Sequence, residues 1–401
     1  DDIGQEGIEL AYDQWLKGTD GSQLVMKDRL GRVVKPVDLI KSPHAGKDLV
    51  LSIDRRLQYL TYRELKRAVF KHKAKSGSAV ILDVKTGEIL AMVNQPAFNP
   101  NNRADLQSYR YRNRVVTDTF EPGSTVKPFT VAAALESGKF KPSTVIDTSP
   151  GYMRVGKSVI RDIKNYGRMT LASVIEKSSN VGASKIALTI DPNNLVKVHQ
   201  RIGFGDVTQS GLPGEVMGSL HQPRIWRDIE RATLSYGYGL SVTTLQLARS
   251  YLVLASDGML KPLSIELQTG HVEGESVISS KHTKQIREML KGVVAEGGTG
   301  TKAAVPGFHV AGKTVTVNKL GKNGYSDYKY VSTFVGMVPA DNPRLVMAIT
   351  IHEPRGEHYY GGAVAAPVFS SVMVGALRLL DISPDNLPKK PATFAMLGGA
   401  Q

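Results

Sequence analysis

The sequence predicts an α+β fold, in which an antiparallel sheet carries helices on its faces and a helical subdomain packs beside it. Strand-like runs at 79–84 and 88–93 flank a hairpin-type turn, and β-branched runs return around 310–352. Between these two regions the chain is largely helical in its pattern. Hairpins combined with segregated helices are typical of an antiparallel sheet in an α+β domain.

The elements follow from local patterns in chain order. We expect a strand at 46–54, a helix at 57–70, and a hairpin that turns at Lys85-Thr86-Gly87. A helix, turn, helix unit is predicted at 171–188, and a terminal helix at 368–380 closes the fold.

Composition narrows the class of protein. The chain has 401 residues, enough for a full core, and a formal net charge of +14, but its basic residues are dispersed and no nucleic-acid motif accompanies them. It has no cysteine, which excludes disulfides and thiol catalysis. No run reaches the roughly 18 to 20 apolar residues of a membrane span, so we expect a soluble fragment.

Ser124-Thr125-Val126-Lys127 is the strongest candidate for a catalytic centre. It follows Glu121-Pro122-Gly123 and opens a buried helix at 129–135, so Ser124 lies at or next to a helix N-terminus. A spacing of three places Ser124 and Lys127 on one helix face, where a desolvated lysine can accept the hydroxyl proton. The amides of the first turn can bind an oxyanion. This arrangement suits acyl transfer.

Two further motifs follow in order. Ser178-Ser179-Asn180 lies in the predicted helix, turn, helix unit, and Lys313-Thr314 begins a β-branched run. A second Ser-x-x-Lys, Ser326 with Lys329, lies in a polar stretch that includes Lys322 and Asn323 and is interpreted as a solvated turn. The literal Lys85-Thr86-Gly87 is hairpin-turn chemistry and precedes the nucleophile.

These motifs resemble S-x-x-K, S-x-N and K-[ST]-G of the penicillin-binding protein and serine β-lactamase superfamily. The resemblance covers almost the whole chain and narrows to the division-specific class B transpeptidases, the penicillin-binding protein 3 group. The stretches that carry it are 118–129, 177–182, 236–240, 298–307 and 359–369. It implies a remnant of an N-terminal pedestal at 1–46, a transpeptidase domain at 47–386 and a C-terminal tail at 387–401.

The third motif departs from the family. After Lys313-Thr314 the chain has Val315, Thr316, Val317 and Asn318, where the family has Gly-Thr-Ala and a basic residue. Strand alternation places Val315 on the face of Lys313, which in the family meets the nucleophile helix. We therefore expect Val315 to crowd this contact, displacing the strand or the two lysines and slowing acylation.

The resemblance implies a role for each matching residue. Ser124 would be the nucleophile and Lys127 its base, with a pKa lowered by burial and by Lys313; Ser178 would relay a proton and Asn180 hold a substrate amide. The amides of Ser124 and Thr316 would form the oxyanion hole, and the hydroxyls of Thr314 and Thr316 would bind a carboxylate. Tyr236 and Tyr238 form an aromatic wall or are structural, and the loop with Tyr359, Tyr360, Gly361 and Gly362 borders the site.

No metal or cofactor is expected, since His72, His309 and His352 show no ligand spacing. The leading hypothesis is a peptidoglycan D,D-transpeptidase that cross-links stem peptides in septal wall synthesis and is acylated by β-lactams. The alternatives are a serine β-lactamase and a variant or scaffold impaired by Val315. The resemblance also implies a partner glycosyltransferase, division proteins, and a place on the periplasmic face of the bacterial inner membrane, held by a single N-terminal anchor outside this chain.

Overall fold

The structure is a computed structural model that describes residues 3–102, 107–321 and 324–386. The helices are α1 (Gly7–Ala11), α2 (Asp13–Leu16), α3 (Arg55–Lys71), α4 (Ser108–Tyr111), α5 (Arg114–Thr117), α6 (Lys127–Glu136), α7 (Leu171–Glu176), α8 (Asn180–Thr189), α9 (Pro192–Arg201), α10 (Asp228–Leu234), α11 (Thr244–Ala255), α12 (Ser280–Val294), α13 (Gly361–Val364) and α14 (Ala366–Leu379). Short 3₁₀ turns cover Gly123–Val126 and Thr301–Ala303.

Strands make up the rest of the regular structure. They are β1 (Ser22–Lys27), β2 (Val33–Lys41), β3 (Ser76–Asp83), β4 (Ile89–Gln95), β5 (Thr119–Phe120), β6 (Val145–Asp147), β7 (Tyr152–Val155), β8 (Ser158–Arg161), β9 (Arg168–Thr170), β10 (Ser219–Leu220), β11 (Leu240–Thr243), β12 (Met259–Leu260), β13 (Glu275–Ser276), β14 (Ala311–Gly321), β15 (Gly324–Val338) and β16 (Leu345–His352).

The central sheet is antiparallel and has the order β14-β15-β16-β3-β4. Its inner strands are apolar on both sides, because helices cover both faces. Ala79 and Ile81 pack with α3 and α14, whereas Val80 and Leu82 pack in the core that contains α6 and α11. β14 is an edge strand, so its outer backbone groups are not paired within the sheet.

The fold class and most predicted elements are confirmed. α3 and α14 match the expected helices, α7 and α8 form the helix, turn, helix unit, and Gly87 turns the β3–β4 hairpin with a φ of 75°. The strand predicted at 46–54 is wrong: this segment makes only an isolated bridge from Leu51 to Glu266. At the end of the segment, the Asp54 side chain accepts hydrogen bonds from the first amides of α3 and so caps this helix.

The expectation about membrane-length segments is also corrected. The stretch Gly361–Leu379 is long and apolar enough to cross a membrane by length and composition, with a mean hydropathy of 1.5. The sequence prediction missed this stretch because Gly, Ser and Pro residues interrupt its apolar run. Half of the segment is buried, and α14 packs on α3 and the sheet, so it has the place of a core helix. The predicted tail at 387–401 lies outside the described residues.

Candidate active site

The turn that carries Ser124 is fixed from three directions. Ser124 lies in the 3₁₀ turn that runs directly into α6, as the sequence predicts to within one turn. Gly123 donates its N–H to the Gly237 carbonyl at 3.1 Å, and the Tyr251 hydroxyl donates to the Thr125 carbonyl at 3.0 Å. Tyr251 is itself buried. Ser124 is partly accessible, while the residues around it are held in place.

Lys127 lies at the centre of the site and is fully buried. Its Nζ is 3.0 Å from Ser124 Oγ, 2.6 Å from the Ser178 carbonyl oxygen and 2.8 Å from Asn180 Oδ1. The last two atoms only accept hydrogen bonds, so a neutral amine that donates both N–H groups to them keeps its lone pair for a hydroxyl, that of Ser124 or that of Ser178, whose Oγ lies 3.1 Å away. Burial, and then the charge of Lys313, lower the pKa of Lys127 well below its usual value.

The Ser-x-Asn loop supplies these acceptors through an unusual backbone. Ser178 has a φ of 62°, a left-handed conformation that few residues other than glycine adopt. This conformation accompanies a carbonyl directed at Lys127. Ser178 Oγ also lies 3.1 Å from Lys127 Nζ and 3.0 Å from Lys313 Nζ, so it bridges the two lysines.

Asp162, which the sequence reasoning did not single out, anchors this loop. Its carboxylate accepts from Ser179 Oγ at 2.5 Å, from the Asn180 amide at 2.6 Å and from the Val181 amide at 3.0 Å. An anion at the N-terminus of α8 satisfies amides that have no partner within the helix and interacts favourably with the helix dipole. The contact spans a hairpin and a loop, so no local sequence signal indicates it.

Lys313 reaches the same place from β14. It is fully buried, which lowers its pKa to about 7. Besides Ser178, it lies 3.2 Å from the Thr314 carbonyl oxygen. That carbonyl therefore points away from β15, and strand alternation directs the Thr316 N–H along the same open edge.

Val315 does contact the nucleophile turn, but the predicted displacement is wrong. A Cβ placed on Gly123 would lie 2.5 Å from Val315 Cγ2 and 2.6 Å from Val317 Cγ1, so the valines occupy the space that a glycine leaves. The pairing of 311–318 with β15 stays in register, and Lys127 and Lys313 keep their contacts. Because Gly123 has a φ of 50° and no side chain, the crowding is accommodated locally.

The two predicted carboxylate-binding threonines are oriented by neighbouring loops. The Gly361 amide donates to Thr316 Oγ1 at 2.8 Å, and Thr314 Oγ1 donates to Thr299 Oγ1 at 2.9 Å. Since the Thr316 oxygen already accepts a hydrogen bond, its own hydrogen is free to donate. Gly361 and Gly362 begin α13 and so lie in a helix, where a loop was predicted.

The tyrosines form two clusters. Tyr236 and Tyr238 meet at 5.5 Å between ring centroids, and Tyr238 meets Tyr325 at 5.7 Å. Tyr359 stacks on Tyr330 at 4.2 Å and on Tyr360. Tyr236 also packs under the β7–β8 hairpin, so it contributes to the core as well as to this cluster.

Two other predictions from the sequence concern the second Ser-x-x-Lys motif and His309. Ser326 and Lys329 lie in strand β15 and not in a turn, and an i, i+3 pair in a strand points to opposite faces. Lys322 and Asn323, quoted with them, lie outside the described residues. His309 meets Asp341 and Asp385, a grouping that sequence spacing does not reveal, but Lys291 forms an ion pair with Asp341 there.

Comparisons with known proteins agree with this geometry. Residues 77–374 match the family model of the penicillin-binding protein transpeptidase domain, and residues 1–51 match that of the penicillin-binding protein dimerisation domain. A protein of Neisseria flavescens named "Probable peptidoglycan D,D-transpeptidase PenA" is 45% identical over 98% of each chain. The peptidoglycan D,D-transpeptidase FtsI of Escherichia coli is 46% identical over 96% of this chain, which spans 65% of that protein's length.

Among solved structures, the apo transpeptidase domain of Burkholderia pseudomallei penicillin-binding protein 3 superposes with a TM-score of 0.78. It is 43% identical and covers 84% of this chain and 98% of its own. The resemblance to the penicillin-binding protein 3 group is thereby confirmed. The chain belongs to the penicillin-binding protein transpeptidase family.

Proposed function

We propose that this chain is a serine D,D-transpeptidase that cross-links peptidoglycan stem peptides and is acylated by β-lactams. The observation that carries the proposal is the position of the buried Lys127 amine, whose Nζ lies 3.0 Å from Ser124 Oγ and contacts two atoms that only accept hydrogen bonds. A buried amine with a lowered pKa is a competent base for a serine hydroxyl.

The reaction follows from the positions of the groups. Ser124 Oγ attacks the carbonyl of a D-alanyl peptide bond while Lys127 takes its proton, and the Ser124 and Thr316 amides stabilise the oxyanion. Ser178 Oγ, between Lys127 and Lys313, passes a proton to the leaving amine. The acyl-enzyme then reacts with an amine of a second stem peptide.

Substrate binding is assigned to the groups around this centre. Thr316 donates its free hydroxyl hydrogen to the terminal carboxylate, and Thr314 joins it when its hydroxyl turns from Thr299. Asn180 binds a backbone amide of the donor peptide. Tyr236, Tyr238 and Tyr359, with Gly361, border the cleft. Asp162 keeps the Ser-x-Asn loop in the geometry that Lys127 requires.

The setting of the protein is part of the proposal. The chain then consists of a pedestal remnant at 1–46 and a catalytic domain at 47–386. It acts in septal wall synthesis on the periplasmic side of the inner membrane, with division proteins and a glycosyltransferase as partners. The named relatives are consistent with this setting. These relatives are transpeptidases, which disfavours the β-lactamase alternative.

Intact-mass spectrometry after incubation with a β-lactam tests the proposal. We expect one adduct, mapped by peptide digestion to Ser124, that persists far longer than a β-lactamase intermediate. Acylation of Ser178 or Ser326 would overturn the assignment, rapid loss of the adduct would favour a β-lactamase, and no adduct at all would favour an impaired variant.

A further inference from the structure

Two neighbouring hydroxyls on the central sheet hold the chain segment that leads into α13. Thr316 of β14 and Ser332 of β15 are direct cross-strand partners, so their side chains lie on the same face of the sheet, with Cβ atoms about 4.5 to 5.5 Å apart. The Gly361 amide donates to Thr316 Oγ1 at 2.8 Å, and Ser332 Oγ donates to the Tyr359 carbonyl. One hydroxyl therefore accepts from this segment while its neighbour donates to it.

The backbone at Gly361 lies too close to the sheet to carry a side chain. A Cβ placed there would be 2.3 Å from the Val315 carbonyl oxygen and 2.6 Å from the Thr333 carbonyl oxygen. The Gly361 amide also belongs to the first turn of α13, whose amides have no partner within the helix. Thr316 supplies a partner for this amide as long as the segment at 359–361 keeps its place on the sheet.

Ser332 is the buried end of this arrangement. Its side chain is 0% exposed, whereas Tyr359 is partly accessible and stacks its ring on Tyr330 at 4.2 Å. A serine hydroxyl has one hydrogen, and Ser332 gives it to the Tyr359 carbonyl, so this hydrogen is not available to the neighbouring Thr316 oxygen. Thr316 accepts from the Gly361 amide instead and keeps its own hydrogen for a ligand.

We propose that Ser332 is a positioning residue for carboxylate recognition: it holds the segment at 359–361 so that the Thr316 hydroxyl donates toward the substrate. The inference rests on the proposed function, in which Thr316 binds the terminal carboxylate of the donor peptide. β14 is an edge strand, so a carboxylate can approach Thr316 from its open side. Without the Ser332 hydroxyl the Tyr359 carbonyl loses its donor, the Gly361 amide can leave Thr316, and the Thr316 hydrogen is no longer reserved for the substrate.

A pair of thioester donors that differ only in this carboxylate tests the role of Ser332. Both carry the same D-alanyl acyl group; the leaving group of one is thioglycolate, with a free carboxylate, and that of the other is the methyl ester of thioglycolate. We expect Ser332→Ala to lower kcat/KM for the carboxylate donor about tenfold, the effect of weakening one hydrogen bond to a charged group, and to change kcat/KM for the methyl ester less than about twofold. An equal loss for both donors, or no loss for either, would overturn the proposal, because a purely structural role does not distinguish them.

A double-mutant cycle with Thr316→Val shows whether Ser332 acts through Thr316. In the Thr316→Val background, Ser332→Ala should change the ratio of kcat/KM between the two donors less than about twofold, and a full tenfold change there would contradict this route. Ser250→Ala is the matched control. Ser250 is equally buried, but its hydroxyl donates to the Leu247 carbonyl at 2.7 Å within α11, so its removal should leave the ratio unchanged.

The test remains decisive if Ser332→Ala does not fold. Ser332→Cys then replaces it, because a thiol has a similar shape but is a weak donor, and the same fall in the ratio is expected. Failure of the unsubstituted chain to form an acyl-enzyme with a β-lactam would contradict the proposed function. Acylation of the unsubstituted chain, with an unchanged donor ratio in the folded Ser332 variant, would overturn the positioning role alone.

Discussion

Val315→Gly restores the family's glycine, and the structure predicts that it costs stability without speeding acylation. Val315 is 6% exposed and packs on the space left by Gly123. Removing three buried carbons costs about 2.4 kcal/mol at 0.8 kcal/mol per carbon. The backbone entropy of glycine in a strand adds roughly 0.5 to 1 kcal/mol. We therefore expect the free energy of unfolding to fall by about 3 kcal/mol.

Urea denaturation measures this change, and β-lactam acylation rates measure the consequence for the site. Because Lys127 and Lys313 already hold their contacts beside Val315, acylation should change by less than about threefold. Val34→Gly, on an exposed strand position, is the matched control and should show the backbone cost alone, about 1 kcal/mol or less. If Val315→Gly leaves stability unchanged, the packing argument is wrong. If it accelerates acylation more than tenfold, the valine does obstruct the site.

Three further predictions concern the buried lysines and their support. Lys127→Met should abolish acylation and change thermal stability little, since removing a buried amine is offset by the loss of the donor to the Ser178 carbonyl and Asn180 Oδ1. Retained acylation would remove Lys127 from the mechanism. The pKa of Lys313 falls from 10.5 in the unfolded chain to about 7 in the folded protein. The unfolded state therefore binds more protons between these two pH values, and the free energy of unfolding should rise with pH across that window. Lys313→Met should flatten the corresponding rise in melting temperature relative to the unsubstituted chain. Asp162→Asn removes a negative charge that raises the pKa of Lys127, so the acid limb of the acylation profile should move to lower pH, whereas a purely structural role would lower the rate without moving it.

The sequence was sufficient for those parts of the site that rest on local periodicity. Ser124 and Lys127 are one helical turn apart, and Thr314 and Thr316 alternate with Lys313 along a strand, so their relative placement follows from backbone geometry alone. The order of the three motifs then indicates which segments must converge. The segment at 46–54 was mistaken for a strand because its apolar pattern is strand-like, although its backbone hydrogen bonds are scattered over several segments, with the Ser52 amide on the Ile265 carbonyl and the Asp54 amide on the Leu90 carbonyl.

Contacts between distant segments could not be predicted in the same way. Asp162 reaches the Ser-x-Asn loop from the far end of a hairpin, and Glu121 meets Tyr325 across 204 residues. Neither pairing leaves a periodic or compositional trace. The displacement predicted at Val315 was wrong for a related reason: alternation gave the direction of Val315 correctly, but the size of the gap depends on the conformation of Gly123, more than 190 positions earlier in the chain. The slowed acylation that was predicted with it stays a prediction.

The same geometry explains why the altered third motif is compatible with an intact centre. The lysines are held by their polar ends, through Ser178 and Asn180, and not by the shape of the strand at Val315. The valines occupy the space beside Gly123, whose own amide is tied to the Gly237 carbonyl. Substitutions on this face of β14 therefore act first on the packing of the nucleophile turn, whereas substitutions at Asp162 act on the basicity and position of Lys127. Stability and pH profile, measured together, distinguish these two routes of perturbation.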